Sequence, residues 1–306
     1  YDGSNYDVFG QILDRDGEKI SNEFQINTTT QYGQENAVIA PLTNGNFVVA
    51  WHSEEGNTTG NWGQNLKAQI FDSSGNKIET EFTVNVHTSN SQNLPNIAAT
   101  SDGGFVLAWE SAGQVVNHDV IVIRKFDASG NPVTDEIYGD FTRQISGNLD
   151  GTDPSIIELS NGNLAVTWQS DYGGDWDIDT AIFNLQDNTS QVNIIAKQTV
   201  NTGNDYNYKN HVHDTVALKD GGYVVVWFNE APVWDKNFKG RIFDNDGAAV
   251  GDEFQVNTYS PESGGLDIHD GPGITALDDG GFFVCWNSWD QQHGGDKYDV
   301  YGQFFN

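Results

Sequence analysis

The chain has 306 residues, 14 Lys and Arg against 44 Asp and Glu, and a formal net charge of -30. That balance argues against nucleic acid or an anionic membrane surface as a partner, because phosphate binding needs clustered Lys and Arg, and no apolar run reaches bilayer-spanning length, so no membrane insertion is expected. One cysteine, Cys285, excludes an internal disulfide and reads as a small apolar core residue. Many turn-forming residues, with 34 Gly among them, and 12% aromatic side chains suit short strands around an aromatic core.

In chain order, the first expected strand is Tyr6-Asp7-Val8-Phe9-Gly10-Gln11, and the next is Glu23-Phe24-Gln25-Ile26-Asn27. A tight turn at Asn44-Gly45-Asn46 then leads into Phe47-Val48-Val49-Ala50-Trp51, a phrase that recurs four more times, ending at Trp109, Trp168, Trp227 and Trp286. These tryptophans lie 58, 59, 59 and 59 residues apart. Five units of one length, each built on a hairpin, form a strong repeat signal.

Each unit predicts four strands, A to D. A short apolar strand comes first (Ile97-Ala98-Ala99 in the second unit), then the Trp strand, a long polar loop and a third strand. The third strands end on Asp14, Asp72, Asp127, Asn184, Asp244 and Asn306, with a Gly three residues later at Gly17, Gly75, Gly130 and Gly247. This Asp-x-x-Gly resembles a calcium ligand, but an Asp accepting backbone N–H groups in a type I turn explains it without metal. The fourth strands read Glu23–Asn27, Glu81–Asn85 and Glu253–Asn257 and alternate like half-exposed outer strands.

Four antiparallel strands repeated five times predict an all-β, five-bladed β-propeller spanning residues 1–306. Strand A is expected innermost and each core Trp between blades. The chain starts with strands C and D of a unit and finishes with A, B and C, so the closing blade is expected from 1–28 plus 270–306. Six C strands then serve five A–B hairpins. The surplus one is expected outside the borrowed D strand, or paired with a neighbouring molecule. The start at Tyr1 and the absence of methionine predict a processed mature chain or a piece of a longer array.

The long B–C and D–A loops are where function is sought. Trp62, Trp176, Trp234 and Trp289 lie in or beside B–C loops, as stacking platforms for sugars or as caps on their own blades. The loop Ser170–Asp179 carries Asp171, Asp175, Asp177 and Asp179 with two glycines, hard oxygen ligands suited to Ca²⁺; a solvated acidic loop is the alternative. Asp290, Asp296 and Asp299 are a weaker echo. His211, His213 and Asp214 form a weaker candidate metal cluster, followed by His269 and Asp270. As candidate glycosidase acids, Glu35, Glu110, Asp153 and Asp214 fall near strand ends, and no pair stands out from the acidic background.

The phrases Asp102-Gly103-Gly104-Phe105-Val106-Leu107-Ala108-Trp109, Arg241–Gly247 and Glu253–Thr258 resemble tandem propeller-type repeats of large secreted and cell-surface bacterial proteins. The resemblance implies an extracellular, non-catalytic adhesive or scaffold role and carries over no functional residue. The expectation is therefore a non-enzymatic binding or adhesion module at the cell surface, carbohydrate-binding and calcium-stabilised, with a glycan or a matrix protein as partner. The first alternative is a protomer of an extracellular filament or surface layer, self-associating through the surplus strand. The second is a five-bladed glycoside hydrolase.

Overall fold

The computed structural model describes residues 6–55, 63–115, 118–138, 151–171, 176–185, 192–202, 209–230, 236–258, 271–289 and 298–306. Every regular element among them is a β-strand and none is a helix. The chain divides into two compact units, Tyr1–Thr142 with Gln186–Gln191, and Arg143–Leu185 with Val192–Asn306.

The first unit opens with β1 (Phe9–Gly10) and β2 (Phe24–Gln25), paired antiparallel. A four-stranded antiparallel sheet follows: β3 (Gln34–Pro41), β4 (Phe47–Glu55), β5 (Gly63–Phe71) and β6 (Lys77–Thr83). A second is built from β7 (Gln92–Ala99), β8 (Phe105–Val115), β9 (His118–Phe126) and β10 (Ile137–Tyr138).

The second unit continues with β11 (Gly151–Glu158), β12 (Leu164–Asp171), β13 (Trp176–Leu185) and β14 (Val192–Thr199). Next come β15 (Lys209–Ala217), β16 (Tyr223–Glu230), β17 (Lys236–Phe243) and β18 (Phe254–Gln255), joined to the preceding sheet by one parallel bridge from Trp176 to Lys209. Last is a three-stranded sheet of β19 (Gly273–Ala276), β20 (Phe282–Trp289) and β21 (Tyr298–Phe305). The A–B–C–D order read from the repeat is the order of hydrogen-bonded neighbours.

Sheets meet through the Trp strands. In the first unit Trp109 packs with Leu66, Ala68 and Ile70 of β5; in the second, Trp227 packs with Ile178 and Ile182 of β13, and Trp286 with Phe238 of β17. Burying a ring of this size contributes about 2–3 kcal/mol or more by area. Three of these indoles are also pinned, each Nε1–H donating to an A-strand amide: Trp51 to Gln34 (2.9 Å), Trp109 to Gln92 (3.1 Å) and Trp227 to Asn210 (3.0 Å). The first residue of the Trp strand stacks on the last of strand C, as in Phe47–Phe71, Phe105–Phe126, Tyr223–Phe243 and Phe282–Phe305, with centroids 4.9–5.2 Å apart.

The Asp-x-x-Gly turns need no metal. Oδ1 of Asp14, Asp72, Asp127 and Asp244 each accepts two backbone N–H groups, two and four residues on, and the closing glycines have φ of 83–85°. Only glycine adopts that conformation at little cost.

An asparagine that ends strand D clamps it to strand C. Oδ1 of Asn27, Asn85, Asn201 and Asn257 accepts the N–H of Val8, Leu66, Ile178 and Phe238 at 2.7–2.9 Å. Nδ2 donates to the preceding side chain, Asp7, Asn65, Asp177 or Asn237, at 2.6–3.0 Å.

At the N-terminus β1 takes a C position beside β2: Phe9 faces Gln25 and Gly10 faces Phe24, the register in which Lys239 faces Gln255 and Gly240 faces Phe254. The physical reason is the Asn27 clamp, whose ligands Asp7 and Val8 are local in the chain. Val8, Phe24 and Ile26 then cover Val49, Trp51 and Phe71.

Candidate active site

Four of the five described A strands, all but β19, are interrupted at one place. The register shifts between Glu35 and Val38, Asn93 and Asn96, Thr152 and Ser155, and His211 and His213. In the first three, Asn36, Leu94 and Asp153 take φ of 52°, 49° and 54°. An extra residue in a strand re-aims the side chains beside it. Because Leu94 shares the geometry, the bulge belongs to the repeat, and chemistry depends on which residues it presents.

In the second unit it presents acids and an imidazole. β11, β15 and β19 are neighbours there, which brings Asp153 of β11 and His213 and Asp214 of β15 together. Asp214 Oδ1 accepts the Thr215 N–H at 2.8 Å, and Oδ2 accepts the Ile274 N–H from β19 at 3.2 Å. Burial pushes this carboxyl up to about 6; the two N–H groups oppose that rise and the charge of Asp153 adds to it. His213 is buried, with no side-chain hydrogen-bond partner for either ring nitrogen among the described residues. Burial lowers its pKa, against the pull of Asp153 and the Thr167 backbone, so the imidazole is neutral at pH 7. Below, Thr167 and Thr215 hydroxyls meet at 2.7 Å and tie β12 to β15. The group therefore holds one carboxyl that keeps its proton to about pH 6 beside a second carboxylate, the combination used for general acid and base chemistry.

The first unit presents a different set. His52 is buried, its Nε2 is 3.7 Å from Glu35 Oε2 and its Nδ1 3.3 Å from Asn36 Nδ2. Burial lowers its pKa more than Glu35 and Glu54 raise it. Glu54 Oε2 accepts the Gly33 N–H, and Glu110 Oε1 accepts from Asn93 Nδ2 at 3.2 Å.

Of the stacking candidates, Trp62 and Trp234 lie outside the described residues. Trp176 is half-buried at the start of β13, and Trp289 ends β20 with its side chain outside the described residues. In the acidic loop, Asp175 lies outside the described residues. Asp177 receives the Asn201 clamp, and Asp179 accepts from Ser170 and Thr199 hydroxyls at 3.0 and 2.8 Å, so both carboxylates already serve strand pairing. Among the described residues no three His, Cys, Asp or Glu side chains form a group able to hold a metal ion. His211 pairs through its backbone with Phe228, its side chain outside the described residues, as are His269 and Asp270 altogether. The pairing of Asp153 with Asp214 escaped sequence reasoning because it joins two different repeats, although Asp153 lies in its A-strand bulge and Asp214 just after its own.

No protein-family model and no curated protein matches the chain. Among solved structures it is similar to a Penicillium chrysogenum alpha-L-arabinanase complexed with arabinobiose, at 15% identity and TM-score 0.56, over 82% of this chain and 74% of that one. It is also similar to the GH93 alpha-L-arabinofuranosidase of Fusarium graminearum with arabinobiose, at 10% identity and TM-score 0.55, over 87% of this chain and 80% of that one. A third likeness is to the alpha-L-arabinofuranosidase Arb93A from Fusarium graminearum with an iminosugar inhibitor, at 12% identity and TM-score 0.53, over 97% and 84%. At such identities the likeness establishes an all-β fold of antiparallel sheets. It also corrects two expectations, that the chain is a non-enzymatic binding or adhesion module and that it is not an enzyme. These three similar structures are of an arabinanase and of arabinofuranosidases, which fits the glycoside hydrolase alternative better than either expectation.

Proposed function

We propose that this chain is a glycoside hydrolase, with its five repeated sheets as the five blades of a propeller and with α-L-arabinose-containing saccharides as substrate. The observation that carries the reading is Asp214, a carboxyl held protonated to about pH 6 next to the carboxylate of Asp153. Glycoside hydrolysis needs one carboxylic acid to protonate the leaving oxygen and one carboxylate to activate water or attack the anomeric carbon. Burial assigns the acid role to Asp214, and Asp153 takes the other. The two N–H groups on Asp214, from Thr215 and Ile274, hold the carboxyl in one orientation, so little reorganisation accompanies proton transfer. Neutral His213 adds no positive charge to the group, where a cation would lower Asp214 and favour loss of its proton.

The arabinose specificity is supported by the bound arabinobiose of two structures that share the fold. The test is product release, followed by chromatography, from arabinan, arabinobiose, xylan and galactan. Arabinose or arabino-oligosaccharides are expected, with Asp214→Asn and Asp153→Asn each reducing the rate by about 10²–10⁴-fold. Release from none of these glycans by the folded protein overturns the reading.

A further inference from the structure

The last sheet shows an uncovered face that the other sheets do not. The residue before the one facing the core Trp across the B–C pairing is Leu66, Ile121, Ile178, Phe238 and Val300 in the successive sheets. The first four are 0% exposed, and Val300 is 75% exposed, with Phe304 on the same face at 69%. Asp299 is exposed too, at the position where Asp7, Asn65, Asp177 and Asn237 each receive the asparagine clamp of a D strand. So β21 presents everything a C strand needs to receive a D strand, and among the described residues none is paired to its outer edge.

The matching D strand is β2, and its seat is taken. Tyr6-Asp7-Val8-Phe9-Gly10-Gln11 and Tyr298-Asp299-Val300-Tyr301-Gly302-Gln303 differ at one residue of six. Val8, the counterpart of Val300, is packed with the Trp51 group, and the Asn27 clamp is closed on Asp7 and Val8. Aromatic rings mark the same equivalence. Phe254 of β18 lies against Gly240, and Phe24 of β2 against Gly10. At Gly302 the nearest ring is Phe283 of the neighbouring strand. A chemically near-identical strand thus exists in two copies for one clamp, one held by it and one with Val300 and Phe304 exposed.

We propose that β21 of a second copy of this chain displaces β1 and pairs with β2, so that two chains exchange their terminal strands. The new ladder sets Tyr301 opposite Gln25 and Gly302 opposite Phe24, and closes Asn27 on Asp299 and the Val300 N–H. Exchange replaces one pairing by a nearly identical one, with Val300 taking the place that Val8 vacates over the Trp51 group, so the packing of the seat is kept. A near-even exchange of this kind is a low-cost route to a dimer of identical chains. This inference stands on strand pairing alone and is independent of the catalytic reading.

The test is disulfide trapping in the full chain carrying Cys285→Ala, Gln25→Cys and Tyr301→Cys, oxidised over a range of protein concentrations. Directly opposed residues bring Cβ atoms within bridging distance. A covalent dimer whose yield rises with concentration, confirmed by light scattering, is the expected result, and deleting residues 1–11 should raise that yield several-fold by removing the rival strand. Phe9→Cys with Gln25→Cys is the control for a folded N-terminal hairpin and should close within one chain. A link between residues 25 and 301 inside a single chain overturns the proposal. So does no link while the control closes, or a dimer formed equally well by the Gln25→Cys variant alone.

Discussion

Replacing Asp214 by Asn gives a sharp physical test of how the site is held. The carboxyl is pushed from the ordinary 3.8 to about 6, chiefly by burial. At 1.36 kcal/mol per pH unit, the gap amounts to about 3 kcal/mol. Below about pH 4 the group is protonated in both folded and unfolded chains and the penalty is absent. As pH rises from 4 to 6 the unfolded chain releases its proton while the folded chain keeps it, so stability falls; above 6 the loss is complete. Asn cannot ionise, so it escapes this loss. It accepts the N–H of Thr215 or of Ile274 but turns an NH₂ toward the other, a pH-independent cost of about 1–2 kcal/mol. The stability of Asp214→Asn relative to wild type should therefore rise by about 3 kcal/mol between pH 4 and pH 7.5, from less stable to comparable or more stable. Urea denaturation at both pH values, followed by tryptophan fluorescence, measures the difference. A relative stability that stays constant with pH refutes the claim that burial holds the proton.

Asn85→Ala should cost about 2 kcal/mol, because it leaves the buried Leu66 N–H and the Asn65 amide without their partner; chemical denaturation checks it. Trp109→Ala should cost about 3–5 kcal/mol and strand the Gln92 amide, lowering the melting temperature in calorimetry by more than any surface change. Asp102 is drawn down to about 2; burial opposes this, and the Lys125, Thr100 and Gly104 hydrogen bonds overcome it. Its contribution is present above about pH 4 and lost as pH falls through 2. Because the carboxylate is half exposed, Asp102→Asn should cost only about 1 kcal/mol at pH 7, and nothing at pH 2.

Most of the fold was legible because it is written several times. The Trp phrase, the hairpin glycines and the Asp-x-x-Gly turns each recur with local partners, and the structure uses them as local chemistry predicts. The asparagine clamp was visible as the last letter of Glu23–Asn27, Glu81–Asn85 and Glu253–Asn257, but its role needs the register of strand C against strand D. That register also gives Asp177 a partner the sequence does not show, the Asn201 amide. The candidate site was less legible. Asp153 and Asp214 stand 61 positions apart in an acidic chain. Nothing in composition separates them from Glu110 or Asp171. What singles out Asp214 is the burial that raises its carboxyl, and what singles out Asp153 is its place beside Asp214 on the neighbouring A strand; both are tertiary properties. The adhesive reading failed for a related reason. Repeats report the scaffold, and the few residues that depart from the repeat carry the chemistry.

The most direct test of the central claim is the pH dependence of kcat/KM on an α-L-arabinoside, for wild type and for Asp214→Asn. The account predicts a rate that falls above about pH 6 as Asp214 loses its proton, and a variant that is slower at every pH and lacks that limb. A wild-type profile flat through pH 6, or a variant with the wild-type rate, contradicts it.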